Sequence, residues 1–326
     1  MAIHIGRRKF ITTLSGTAAI WPLAARAQSA PHKIGYLHPA TIAPDSSLLS
    51  ILRPKWRELA YVEGETILLR TAAGDVTRLP DLIKELVGLG AGVLIMVGPQ
   101  AVRAAHAVAP TTPLVGLDLE TDPIRAGLIQ SWAKPGGNVT GMFLDQASLA
   151  GKWVELLKEV EPRLARIALA WDPTTVPDQM EAANIAAHAL GIDTLVLKVE
   201  RPQEFETVLA RLGSESATGL ILLGSPLLVN PPHFFADAAL KLKLPTVTFY
   251  KPIARAGGLM AYGANLETYF PRAITIADEI LKGAKPGDIP VERPTRYQLV
   301  INLKTAQALS LTVPLIMQMT ADEVIE

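Results

Sequence analysis

The sequence predicts an α/β fold of two doubly wound, Rossmann-like lobes, and three observations predict it. From Lys33 onward, apolar runs of strand length alternate with amphipathic stretches of helix length, the pattern of βαβ units over a parallel sheet. The order of elements occurs twice, over residues 33–119 and again over 166–250, a repeat far longer than a solenoid unit. The chain's 326 residues, 49% apolar and 19% charged, exceed what a single core usually organises.

The first half opens with strand KIGYL (33–37) and a helix over 46–60, which Pro54 should kink or start. Strand 65–74, helix 79–90, strand 91–98, helix 99–109 and strand 112–119 follow. The second half runs strand 166–172, helix 177–191, strand 193–200, helix 204–213, strand 218–225, helix 232–243 and strand 244–250. Ile34 corresponds to Ile167, Ile95 to Leu222, and Val115 to Val247. Between the halves, IRAGLIQSWA (124–133) reads as a helix stopped by Gly136 and Gly137. Two such lobes side by side turn their strand C-termini and helix N-termini toward one cleft.

Ahead of this pattern, Arg7 and Arg8 precede a mildly apolar run from Ile11 to Ala25, and Ala25-Arg26-Ala27 has a small-x-small pattern. That is the form of a twin-arginine export leader over residues 1–27, cleaved after Ala27. Gly16 and Pro22 interrupt the run, which is short of the ~20 residues a membrane span needs. The expectation is a periplasmic protein. With no cysteine in the chain, a lipidated N-terminal cysteine, disulfides and thiolate chemistry are excluded.

Net charge is zero, so composition gives no electrostatic ground for nucleic-acid binding. The turn after the first strand reads HPATIAPDSS, with no G-x-G-x-x-G, and no G-x-x-x-x-G-K-[ST] occurs. No G-x-S-x-G elbow and no H-E-x-x-H pair is present, so the expectation is a protein without catalytic set or cofactor. The candidates for ligand contact lie at strand ends. Gly98, Pro99 and Gln100 open a helix and could hold an anion, or be ordinary punctuation. The cluster Asp118, Glu120 and Asp122 suits an ammonium, a metal or acid/base work, against a capping role for Asp122. Asp172, Thr174, Thr175 and Ser225 occupy turns of the second half, where turn chemistry is the alternative. Tyr36 and Tyr250 end strands and could stack on a ligand or belong to the core. Trp56, Trp132 and Trp153 read as packing residues.

The blocks LPDLIKELV, TDPIRAGLI, KPGGNVTGM, AGGLMAYG, ADEILKGAKPGDIPVE and LVINLKTAQALSLTVP resemble the tryptophan/tyrosine-type substrate-binding proteins of bacterial ABC transporters. The resemblance spans nearly the whole chain after the leader. It implies the type I periplasmic-binding-protein fold, with lobes joined by a three-segment hinge. By that resemblance lobe 1 is 31–141 plus 246–287, and lobe 2 is 142–245 plus 288–326, with Gly141 in the hinge. It also implies a monomer that captures an amino acid or a related small carboxylate or aromatic compound and meets ABC permease subunits in the inner membrane. Two alternatives remain: a Rossmann-like two-domain enzyme of glycosyl-transfer or sugar-nucleotide type, or a ligand-presenting sensor. The chain departs from the family pattern at Gly224-Ser225-Pro226, where an aspartate commonly precedes the proline. It departs again at Ala261, where a hydroxyl is common, and in YKPIARAG (250–257). These departures are expected to touch the cleft.

Overall fold

A computed structural model describes residues 32–144, 146–229, 232–294 and 296–326; the leader predicted over 1–27 lies outside them. The first lobe is built on β1 (Lys33–His38), β2 (Ile67–Thr71), β3 (Ala91–Val97), β4 (Leu114–Asp118) and β5 (Val139–Phe143). They form one parallel sheet in the order β2-β1-β3-β4-β5. Helices α1 (Ser47–Glu58), α2 (Leu79–Gly88) and α3 (Gly98–Val108) connect them. Each helix buries one face: α1 puts Leu48, Leu49, Leu52 and Trp56 inside, and Ser46 caps it by accepting from the Leu49 N–H at 3.4 Å. Pro54 lies within α1 rather than at its start.

The segment 124–133 is not a helix. Asp122 accepts hydrogen bonds from the N–H groups of Ile124 and Arg125 and starts one turn. The Ala126 N–H reaches the Asp122 carbonyl at 3.0 Å, but Gly127, at φ +70°, then turns the chain away. Apolar residues around that glycine mimic helical spacing without the run needed to propagate it.

The second lobe carries α4 (Ala147–Val160), β6 (Arg166–Trp171), α5 (Asp178–Ala189), β7 (Asp193–Lys198), α6 (Phe205–Ser214), β8 (Gly219–Leu222), α7 (Pro232–Lys241) and β9 (Thr246–Thr248). After these come α8 (Lys251–Arg255) and β10 (Met260–Ala264). Helix α9 (Leu266–Leu281) packs back onto β3, β4 and α1 of the first lobe. Strand β11 (Tyr297–Asn302), α10 (Leu303–Ala308), α11 (Leu315–Thr320) and β12 (Glu323–Ile325) complete the second lobe. Its sheet runs β7-β6-β8-β9-β10-β11-β12, antiparallel only between β10 and β11. The first five strands repeat the order of the first lobe. The repeat corrects one correspondence: Ile95 sits opposite Val115, and Ile221 rather than Leu222 sits opposite Val247. A slip of one residue would turn that side chain to the other face.

Lobe assignment differs from expectation over 246–264. Three-residue β9 pairs in parallel with both β8 and β10, so this stretch stays in the second sheet. The chain therefore returns to the first lobe at Asn265, not near 246. The first and third passages run side by side, with the Phe143 N–H on the Glu292 carbonyl at 3.0 Å and the Glu292 N–H on the Gly141 carbonyl at 2.9 Å. Gly141 itself lies within β5. It holds φ +126°, and a Cβ there would stand 2.3 Å from the Gly116 carbonyl oxygen of β4. The sheet itself requires this glycine.

Candidate functional site

The strand ends of the two lobes meet over a cavity of about 60 Å³. The first lobe contributes His38, Leu48, Val97, Gly98, Leu117, Leu119 and Glu120, with Leu266 and Phe270 from α9. The second contributes Pro226, Val229, Phe249 and Tyr250. Past His38, Leu48, Pro226, Val229 and Tyr250 the cavity adjoins an outer recess of about 400 Å³, lined also by Ser46, Ser47 and His233. The walls are mostly apolar, and the polar groups are few and buried, as in small-molecule sites generally.

Gly98 is needed where the chain turns from β3 into α3: its φ is +80°, and a Cβ would press on Pro226 at 3.3 Å. Pro99 follows in the first turn of α3. Gln100 projects across the cleft, and its Nε2 donates to the Thr174 Oγ1 at 2.6 Å. Arg103, one helical turn on, donates to the Thr174 carbonyl at 3.3 Å. These two bonds tie α3 to the turn after β6.

That turn satisfies itself. Asp172 Oδ1 accepts from the Thr174 N–H at 2.9 Å and from its hydroxyl at 2.6 Å, while Oδ2 accepts from Ser225 Oγ at 2.6 Å. Thr175 Oγ1 donates to the Asp172 carbonyl at 2.7 Å, and the Leu227 N–H donates to Ser225 Oγ at 3.0 Å. Burial raises the Asp172 pKa, opposed by the Ser225 and Thr174 hydrogen bonds. Asp172, Thr174, Thr175 and Ser225 are therefore brought together, in the roles that turn chemistry assigns.

The acidic cluster after β4 divides. Asp122 caps its turn and is not in the cavity wall. Asp118 is 1% exposed, and Oδ1 accepts from the N–H groups of Glu120 and Thr121, both at 3.0 Å, whereas Oδ2 makes no hydrogen bond. Glu120 lines the cavity, and its Oε2 is buried without a partner. Burial pushes both carboxyls up; Asp118 and then Asp172 push Glu120 further, and Arg103 pulls it down. Buried, perturbed acids with unbonded oxygens mark a place where charge or hydrogen-bond donors are accommodated.

The two tyrosines differ. Tyr36 is wholly buried against Trp56, edge to face at 6.4 Å, and does not line the cavity. Tyr250 lines both cavity and recess, its hydroxyl 3.4 Å from Ser47 Oγ of the other lobe. Trp56 and Trp153 pack in the core as expected, and Trp132 carries the Arg293 guanidinium 3.5 Å from its ring centroid. Of the departures from the family pattern, Ala261 is core, packed with Ala254 and Val300, and does not touch the cleft. Lys251 and Arg255 form ion pairs with Glu267, and Arg255 also with Glu323. Sequence reasoning did not single out His38, Leu48, Phe249 or Phe270 for this site. The apolar ones carry no signal that separates a wall from a core, and His38 is marked only by standing at a strand end.

Two parallel-sheet lobes, three passages between them and a cavity at their strand ends define a type I periplasmic-binding-protein fold with a solute site between the lobes. The chain belongs to the ABC transporter substrate binding protein family, whose model matches residues 53–325. It is 23% identical over 278 residues to a tyrosine-binding protein of Clostridioides difficile strain R20291, covering 84% of this chain and 78% of that one. Its fold is that of a Streptococcus pneumonia ABC domain in complex with L-Trp: 24% identity, 90% of this chain, 99% of that one, TM-score 0.78. A conserved domain protein of Vibrio cholerae matches at the same coverage and TM-score with 21% identity. A ligand-free, open substrate-binding protein from Clostridium difficile, 19% identical, matches over the same shares with a TM-score of 0.57.

Proposed function

We propose that this protein is exported to the periplasm, closes as a monomer on an amino acid with an aromatic or apolar side chain, and presents the closed form to the permease of an ABC importer. The carrying observation is the cavity itself: apolar walls from both lobes around the Glu120 carboxyl, whose buried Oε2 has no partner in the protein, with the buried Asp118 carboxyl, its Oδ2 also unbonded, two residues away. Those acceptors suit an ammonium, and the walls suit an apolar side chain. The tyrosine-binding relative and the L-Trp complex support the same class of ligand. Ligand contacts assigned to Gly98, Gln100, Asp118 and Tyr250 follow from this reading. Closure works by population shift: contacts from the second lobe are gained only in the closed form, so ligand favours it.

Among the described residues no helix is long and apolar enough to cross a membrane. Export through the twin-arginine leader is tested by the N-terminus of protein recovered from cells, expected just after Ala27. Ligand capture is tested by thermal-shift titration with the common amino acids, since a ligand that binds only the folded state raises its stability by mass action. Saturable binding of an aromatic or aliphatic amino acid, recovered unchanged, is the expected result. Chemical turnover of the bound compound would overturn it.

A further inference from the structure

We propose that the cavity selects its ligand by a cationic head, an ammonium held by Glu120 of the first lobe, with the Asp118 carboxyl behind it and Asp172 of the second lobe facing it, and that a carboxylate on the ligand is dispensable. The proposal rests on the solute-capture reading above and deepens it.

The charges near the cavity are one-sided. Asp118, Glu120 and Asp172 are each at most 3% exposed. Asp172 uses both oxygens within its own lobe, whereas Asp118 Oδ2 and Glu120 Oε2 have no partner. A second buried polar group lies nearby and brings no charge: the Gln146 side chain is fully buried with neither amide atom hydrogen-bonded. Its backbone N–H donates to the Leu119 carbonyl at 3.3 Å, and its Oε1 would overlap any Cβ at Gly224. It therefore lies between the segments that carry Glu120 and Ser225. No lysine or arginine lines the cavity.

The other titratable groups facing the acids do not supply a counter-charge inside. Arg103 acts on Asp118 and Glu120 from the exposed side of α3, Glu200 adds negative charge near Asp172, and Tyr269 is a phenol near Asp118. His38 lines the cavity, but burial lowers its pKa to about 4, so it is neutral at physiological pH. A ligand carboxylate would find no cationic side chain, whereas an ammonium would find the unbonded Glu120 Oε2 in the wall, with the Asp118 carboxyl acting on it from behind. Closure brings Asp172 toward Glu120, and like charges in a water-poor space oppose that approach. A cation or added protons relieve the opposition, so the charge that binds the ligand also governs closure.

Calorimetric titration at about pH 7.5 would compare three sets: L-tyrosine and L-tryptophan, then tyramine and tryptamine, then 3-(4-hydroxyphenyl)propanoate and indole-3-propanoate. The amines are expected to bind within about tenfold of the parent amino acids, and the acids at least about 100-fold more weakly. Acids binding as well as the amino acids, or amines losing binding about 100-fold, would overturn the proposal. If none of the six binds, the aromatic-ligand reading fails, and a ligand-free measurement decides the electrostatic claim. The chain has no cysteine of its own, so Lys84→Cys and Arg163→Cys place one label on each lobe. Glu120→Gln should raise the ligand-free closed fraction at least about threefold at pH 7.5 and flatten its rise on going to pH 5. A closed fraction indifferent to both the variant and pH would sink it.

Discussion

The two lobes place their cleft carboxylates on strands that do not correspond, β6 in the second lobe and β4 in the first, and give them different chemistry. In the second lobe, Asp172 after β6 spends both oxygens on Thr174 and Ser225, neighbours in its own lobe. In the first, Asp118 at the end of β4 leaves Oδ2 unbonded, and Glu120 two residues on does the same with Oε2. The strand that matches β4 ends instead in Phe249 and Tyr250, which supply apolar wall. The duplication thus preserved the frame and divided the labour: the first lobe holds the unspent acceptors, while the second offers a prebuilt turn and a hydrophobic lid.

The frame itself makes the largest prediction. Each lobe uses a glycine where β4 and β5, or β9 and β10, approach closely: a Cβ at Gly141 would stand 2.3 Å from the Gly116 oxygen, and one at Gly263 would stand 2.3 Å from the Phe249 oxygen. Gly141→Val and Gly263→Val should each cost about 3 kcal/mol or more, and Gly141 should suffer more because it also holds positive φ. The check is the thermal midpoint of each variant. An unchanged midpoint with altered ligand affinity would return Gly141 to a purely hinge-like role.

A second difference is titratable. The first strand of lobe 1 ends at His38, and that of lobe 2 ends at Trp171. Burial lowers the His38 pKa from 6.5 to about 4. The folded state resists charging this ring, so stability is full above the unfolded value and falls as pH drops through 6.5 toward 4. The loss is on the order of 3 kcal/mol at low pH. The raised carboxyls of Asp118, Glu120 and Asp172 act oppositely, because protonation relieves their burial as pH falls. Comparing wild type with His38→Gln across pH isolates the histidine: the variant should gain relative stability only on the acidic side. A constant difference at every pH would remove His38 as the titrating group.

The acids themselves should separate by readout. Asp118→Asn removes the charge but keeps hydrogen-bonding capacity, so it should weaken ligand binding by roughly 10- to 100-fold with stability unchanged or raised. Asp172→Asn disturbs a satisfied turn and should lower stability by about 1–2 kcal/mol, with a smaller effect on affinity. Paired calorimetry and thermal unfolding check both. The reverse pattern would exchange the roles assigned to the lobes.

How far these roles could be foreseen depended on the kind of signal. Strands β1, β3 and β6 and their helices follow from unbroken apolar runs next to amphipathic ones, which tertiary context seldom overrides. The duplicated order likewise carries the whole architecture. Two misplacements have physical reasons. IRAGLIQSWA has helical spacing but is cut at Gly127, and β9 is too short, at three residues, to declare its sheet. Around the cavity, the buried polar turns of Asp118, Asp172, Thr174 and Ser225 were legible as features because small polar residues at strand ends are conspicuous; none of the four lines the cavity itself. Leu48, Phe249 and Phe270 were not, because a hydrophobic wall and a hydrophobic core have the same sequence pattern. That Asp118 stays half-bonded while Asp172 is saturated depends on distant partners, which no local spacing encodes.

The smallest predicted effects concern the bonds that cross the cleft. Gln100 Nε2 meets Thr174 Oγ1 at 2.6 Å in a largely buried setting, while Arg125 meets Asp178 at 2.9 Å with the arginine side chain 72% exposed. Both bonds exist only when the lobes are together, so both bias the closed form, but water competes far more strongly for the second. Gln100→Ala should cost about 1 kcal/mol of closure, seen as a roughly fivefold lower closed fraction in ligand-free protein. Reading closure without ligand keeps this apart from any direct contact Gln100 makes with solute. Arg125→Ala should change affinity by less than about twofold, and the difference should vanish at high salt. A salt-independent loss from Arg125→Ala, equal to that from Gln100→Ala, would mean that the exposed pair is a latch in its own right.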